Sequence, residues 1–218
     1  MILDSIDLTS WESRGLAFLC GVVLHHAVFR RGDWDLYVKR LIVTVILLYA
    51  AGTATVALYV PADIEHVDGG TKFTSRLKAA SVTVGALMSA VFTGLSGSIL
   101  VYRAFFHPLR HFPGPFAARL SNFYRTLRYL RSWRQDLEVQ KLHQTYGDVV
   151  RVGPRELSIN DPDALLAIHS SSTTCLKGPW YNLLAPAYNL LGEIRPAAHA
   201  ERRKAWDRAF SSKGKPVS

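Results

Sequence analysis

Two long stretches without a charged side chain constrain this chain more than anything else in it. Residues 41–60 (LIVTVILLYAAGTATVALYV) and 79–102 carry no Asp, Glu, Lys or Arg. As helices rising about 1.5 Å per residue, each reaches roughly 30 Å or more, the thickness of a bilayer's hydrocarbon core. A soluble helix of that length keeps a polar face, so both stretches predict membrane-spanning helices. A shorter apolar run, residues 15–29, contains His25 and His26. It spans if Arg14 and Arg30 snorkel to the interfaces, or it lies in the interface; spanning is the favoured reading. Asp4, Asp7 and Glu12 precede it where a cleavable signal would carry positive charge, so an uncleaved anchor is expected. His25 and His26 are adjacent, about 100° apart on a helix, and do not make a two-ligand face. A polar contact between helices accounts for them better.

Charge divides the chain near residue 106. Nine of the 26 basic and eight of the 17 acidic residues lie in 1–106, leaving seventeen and nine in 107–218. A basic surface suits nucleic acid or anionic lipid, and an attached membrane segment favours lipid. No zinc motif, glycine-rich RNA motif or recognition-helix pattern supports nucleic acid. The segment 30–40 (RRGDWDLYVKR) has four basic residues, whereas 61–78 mixes three with Asp63, Glu65 and Asp68. The positive-inside rule then puts 30–40 and the C-terminal half in the cytosol. Cys20 and Cys175 form no disulfide framework.

Between Asp68 and Asp136 there is no acidic residue, while Arg119, Arg125, Arg128, Arg131 and Arg134 follow one another across a predicted helix. Leu120, Phe123, Leu127 and Leu130 supply an apolar face. The pattern predicts a basic amphipathic segment lying on the membrane surface, the alternative being a solvated basic face. Ahead of it, His107-Pro108 to Pro113-Gly114-Pro115 predicts a stiff, extended hinge. Beyond it, helical spacing over 136–146 ends at Gly147, and 149–152 and 156–159 form two strands of a hairpin around Gly153-Pro154-Arg155. Pro162 opens a helix over 163–169, residues 170–195 are loop-rich, and a last helix runs from about Pro196 to Phe210.

The order of hinge, helix, YGDVVRVGPRELSIND and AHAERRKAWDRAFS resembles the N-terminal part of fungal cytochrome P-450 monooxygenases over roughly residues 107–213. HFPGP is similar to that family's proline hinge, the YGDVVRVGPRELSIND stretch to its first β-hairpin leading into helix B, and AHAERRKAWDRAFS to its helix C. The resemblance implies a mainly α fold: two or three transmembrane helices over 1–106, a hinge and basic amphipathic segment over 107–135, and an incomplete cytochrome P-450 domain over 136–218. It implies that His199 and Arg203 contact haem propionates, and that Trp180, Tyr181 and Leu183 line the substrate pocket. The two propionate residues are four apart on one helix face, and cationic donors suit carboxylates.

The family's activity is haem-dependent oxygen activation and hydroxylation of a small organic substrate of the secondary-metabolite kind. Its axial ligand is a cysteine thiolate in a glycine-rich loop. Cys175, in TTCLKGPW, does not match that loop, and the Glu-x-x-Arg and acid-threonine motifs are missing from the sequence. The expectation is a member truncated after helix C, without stable haem binding and without turnover, and with no metal ligands. Its expected location is the endoplasmic-reticulum membrane. Its expected partners are the lipid bilayer and either an NADPH-dependent reductase or a full-length oxygenase; a non-enzymatic interaction protein or a longer active gene product are the alternatives.

Overall fold

A computed structural model of the chain describes residues 7–32, 34–59, 72–170, 173–184 and 189–210. It divides into two compact units, one of residues 1–32 and 40–164 and one of residues 33–39 and 165–218. The apolar N-terminal helices and the hinge-to-hairpin segment, which the sequence separates near residue 106, fall in the same unit.

That unit begins with helix α1 (Trp11–Leu24), capped by the Ser10 hydroxyl, which accepts from the Ser13 amide at 3.2 Å. A π-helical turn, His25–Phe29, continues it. Helix α2 (Val38–Tyr59) and helix α3 (Lys72–Val101) follow, and a second π-helical turn carries α3 on through Tyr102–Phe106. Val38–Tyr59 and Phe73–Phe106 are long and apolar enough to cross a membrane, and only 6% and 11% of their most apolar windows is buried within the protein. The α3 helix starts seven residues before the uncharged run because Arg76 and Lys78 are tolerated in its first two turns.

Helices α1 and α3 pack at backbone distance. A Cβ on Gly21 would stand 2.1 Å from the Val91 carbonyl oxygen, and one on Gly94 would stand 2.1 Å from that of Phe18. Small residues permit such an approach in membrane helix pairs. Next to this seam the buried His25 shares a 2.7 Å hydrogen bond with the Ser98 hydroxyl, the interhelical polar contact expected of that histidine. Helix α2 meets α3 where the Tyr49 hydroxyl donates to the Ser81 carbonyl and where Gly52 faces Val84.

The hinge is a 3-10 turn, Pro108–His111, rather than a wholly extended run: His107 caps it by accepting from the Leu109 amide. Helices α4 (Phe116–Leu120), α5 (Phe123–Ser132) and α6 (Gln135–Tyr146) lead to strands β1 (Val149–Gly153) and β2 (Glu156–Ile159). The predicted single basic helix is thus broken twice. Ser121 is extended (φ −153°), and Trp133 takes the left-handed conformation (φ 52°) after α5. The two strands pair antiparallel, Val149 opposite Ile159 and Arg151 opposite Leu157, with a bulge before Gly153. Gly147, at φ 96°, ends α6 as the sequence predicts.

Helix α7 (Pro162–His169) spans the division between the two units. The second unit contains 3-10 turns at Trp34–Tyr37 and Pro179–Leu184, which touch each other, and helix α8 (Pro196–Phe210). The segment 61–78 lies largely outside the described residues, as does 211–218.

Candidate functional site

Helix α5 is amphipathic in the reverse sense from a helix of a soluble protein. Phe123, Leu127, Leu130 and the following Trp133 are 58–84% exposed, in one outward stripe. Its half-buried side carries Tyr124, Arg125 and Tyr129. Arg125 is ion-paired with Glu156 of β2, and Arg128 donates through Nε to Glu138 of α6 at 2.7 Å. Lys141 joins the same carboxylate at 3.1 Å, and bonds from Lys141 and then Arg128 hold Glu138 below the usual carboxylate range. Of the other predicted surface arginines, Arg131 is exposed at the edge of the apolar stripe. Arg134 lies beyond α5 and pairs with Asp136 at 3.0 Å, and Arg119 is half-buried on α4.

Beneath these helices sits an arginine that its sequence pattern marks only as a strand residue. Arg151 of β1 is 0% exposed. It donates to the carbonyls of Pro154 (2.7 Å), Gly153 (3.3 Å) and Arg103 (3.3 Å). Arg103, in the π-helical end of α3, donates to the Leu120 carbonyl at 2.8 Å. The Arg151 amide donates to Pro113 at 2.7 Å, and Gly114 (φ +152°) has no room for a Cβ, which would lie 2.4 Å from the Arg151 carbonyl oxygen. The end of α3, the hinge, α4 and the hairpin are therefore clasped together. The signal in the sequence was a cation in the middle of the strand pattern VVRV, immediately before Gly-Pro. His107 shares this environment: burial first, then the charges of Arg151, Arg155 and Arg103, lower its pKa.

In the second unit, His199 and Arg203 lie one turn apart on α8. His199 is half-buried, and Arg203 is exposed, with Asp207 at 3.7 Å. Trp180 is 66% exposed and stands edge-on to the half-buried Tyr181 with ring centroids 5.4 Å apart. Lys177 lies over the Tyr181 ring. Leu183 belongs to the same turn, its side chain being outside the described residues. A network that the sequence did not reveal organises this region. Glu193, only 2% exposed, pairs with Arg195 at 3.0 Å and with Arg202 of α8 at 3.6 Å. The Lys177 ammonium donates to the carbonyls of Leu190, Leu191 and Glu193.

No family model and no solved structure matches the chain. Curated proteins do. The chain is 45% identical over 198 residues to a cytochrome P450 monooxygenase of Fusarium pseudograminearum, covering 91% of this chain and 34% of that protein. It is 42% identical over 194 residues to another from Penicillium fellutanum, covering 89% and 32%. The chain is a relative of the fungal cytochrome P450 monooxygenases. It is also 33% identical over 197 residues to the tryprostatin B 6-hydroxylase of Aspergillus fumigatus, covering 90% of this chain and 34% of that enzyme. These cytochrome P450 alignments cover nine-tenths of the chain, so they include apolar N-terminal helices as well as the hinge and hairpin. The chain spans about a third of the length of the relatives it matches.

The family implies haem in the full-length proteins. The residues described here do not fit a haem-iron site. Cys20 is an exposed residue of the apolar helix α1, and Cys175 is an exposed loop residue whose amide is turned onto the Thr173 hydroxyl. No group of three or more His, Cys, Asp or Glu is gathered for a metal among the described residues.

Proposed function

We propose that the chain provides the membrane anchor and the hinge-to-helix-C portion of a haem-thiolate monooxygenase, its substrate a small organic molecule of the secondary-metabolite kind. The observation that carries this reading is the identity of 42–45% to fungal cytochrome P450 monooxygenases along nine-tenths of the chain. The described residues supply positioning rather than oxygen chemistry. Helices α2 and α3 span, α1 packs along α3, and α5 lies in the interface with Phe123, Leu127 and Leu130 toward the acyl chains and Arg131 snorkelling beside them. The exposed stripe on α5 supports that placement, because an apolar face of this kind is stabilised by lipid and not by water. His199 and Arg203 hold haem propionates in the complete fold, and Trp180, Tyr181 and Leu183 border the substrate. The resident location is the endoplasmic-reticulum membrane, with the C-terminal half cytosolic.

The 218-residue chain by itself carries out no monooxygenase turnover on this reading. A carbon monoxide difference spectrum of the purified, reduced chain is expected to lack the thiolate Soret band, and the appearance of that band would overturn the proposal. Appending the remainder of a full-length relative is expected to restore the band, and changing His199 and Arg203 together to Ala in that longer protein is expected to lower haem retention.

A further inference from the structure

Two arginines of the clasp at the end of α3, Arg119 and Arg151, carry charge that no carboxylate among the described residues balances. Arg151 is wholly buried, and its hydrogen bonds within the described residues go to carbonyl oxygens, which orient a guanidinium without neutralising it. Two buried donors, Arg151 Nη1 and Arg119 Nε, have no hydrogen-bond partner among the described residues. Neither arginine is ion-paired with a carboxylate among them, Glu156 of the adjoining strand being engaged by Arg125. Helix α4, which carries Arg119, packs on β1, and Arg151 bonds the Arg103 carbonyl, so the three cations are neighbours; burial, followed by repulsion from Arg119 and Arg103, lowers the pKa of Arg151. Buried polar groups in native proteins find partners, and buried cations find anions.

The position of the cluster narrows what that anion is. Arg103 belongs to the last turn of the 73–106 span, where Phe105 and Phe106 are 59% and 64% exposed. In a spanning helix, this is the level at which acyl chains give way to headgroups. Guanidinium forks match phosphate oxygens in geometry as well as charge. We propose that Arg119 and Arg151 form a site for a phosphate-bearing anion at the C-terminal end of α3, and that its resident occupant is the headgroup of an acidic phospholipid. Arg119, only half-buried, gives the anion its approach, and Arg151 forms the floor. The choice of a lipid source rests on the reading of α3 as a span; the anion chemistry does not.

The test uses the whole 218-residue chain. It is placed in phosphatidylcholine nanodiscs doped with phosphatidic acid, and the lipid retained per chain is read by native mass spectrometry. Arg119→Gln is the decisive variant, because no hydrogen bond of the described fold uses its Nε. Lys204→Gln removes an exposed charge from α8 and serves as the comparison. The wild type is expected to retain phosphatidic acid over phosphatidylcholine by about tenfold, a preference that Arg119→Gln loses and Lys204→Gln keeps. Equal losses in the two variants would overturn the site in favour of diffuse surface attraction. A second arm, in uncharged detergent micelles, titrates inorganic phosphate and follows thermal unfolding. Stabilisation of the wild type but not of Arg119→Gln, without a lipid preference in the first arm, supports the site with a soluble phosphate as its source. Absence of an Arg119-dependent effect in both arms overturns it. A chain that does not enter nanodiscs but responds to phosphate in micelles defeats the spanning reading and leaves the anion site standing.

Discussion

At the residue scale, the hinge-to-hairpin contact depends on a hydrogen atom. Gly114 combines a backbone conformation that L side chains rarely adopt with a Cβ direction that ends 2.4 Å from the Arg151 carbonyl oxygen. Gly114→Ala is expected to cost about 3 kcal/mol through combined strain and collision. Amide exchange across Val149–Gly153 in the full chain should accelerate accordingly, while α1 and α3 stay protected. In the second unit, Glu193 sets a pH dependence. Hydrogen bonding from Arg195, then the charges of Arg195 and Arg202, depress its pKa in the folded state. A depressed carboxylate contributes stability above its unfolded pKa, and the contribution disappears as pH falls through the lower folded value. The loop 189–195 is therefore expected to loosen on acidification below about pH 4, near the ordinary glutamate range. Glu193→Gln should abolish that step, as followed by limited proteolysis at acid pH.

At the element scale, the α1–α3 seam and the reversed amphipathy of α5 make different demands. Gly21→Leu is expected to force α1 away from α3, with an overpacking cost of about 1–3 kcal/mol, visible as a lower unfolding temperature in detergent. Gly15, against which nothing packs, should accept the same change with little effect. Much of the element order was legible in advance. The apolar runs, the Gly147 stop, the Gly-Pro-Arg turn and Pro162 are local signals, and each element they mark is present. The faces of α5 were less legible. The stripe of Phe123, Leu127 and Leu130 was readable by spacing, whereas the engagement of Arg125 by Glu156 and of Arg128 by Glu138 depends on partners distant in sequence. The same holds for Arg151 and Glu193, whose burial is created by tertiary packing and leaves only a misplaced charge in the sequence pattern.

At the scale of the whole molecule, the two long apolar helices and the uneven distribution of basic residues make a topology that can be measured. In sealed microsomes, an Asn-x-Thr acceptor introduced in 61–70 is expected to be glycosylated, and one introduced in 30–40 is expected to remain unmodified. The reverse pattern would invert the orientation derived from the arginines. The 73–106 helix, with 34 residues, measures about 50 Å at 1.5 Å per residue, against a hydrocarbon core of about 30 Å. In the proposed spanning placement it accommodates the difference by tilting or by standing proud of the bilayer. Because Arg103 at its far end is fastened to Leu120 and Arg151, a change of tilt has no slack in which to dissipate. In that proposed placement bilayer thickness becomes a mechanical input to the hairpin: a thicker membrane would stand the helix upright and turn the strands with it, so one chain would present its hinge differently to membranes of different width.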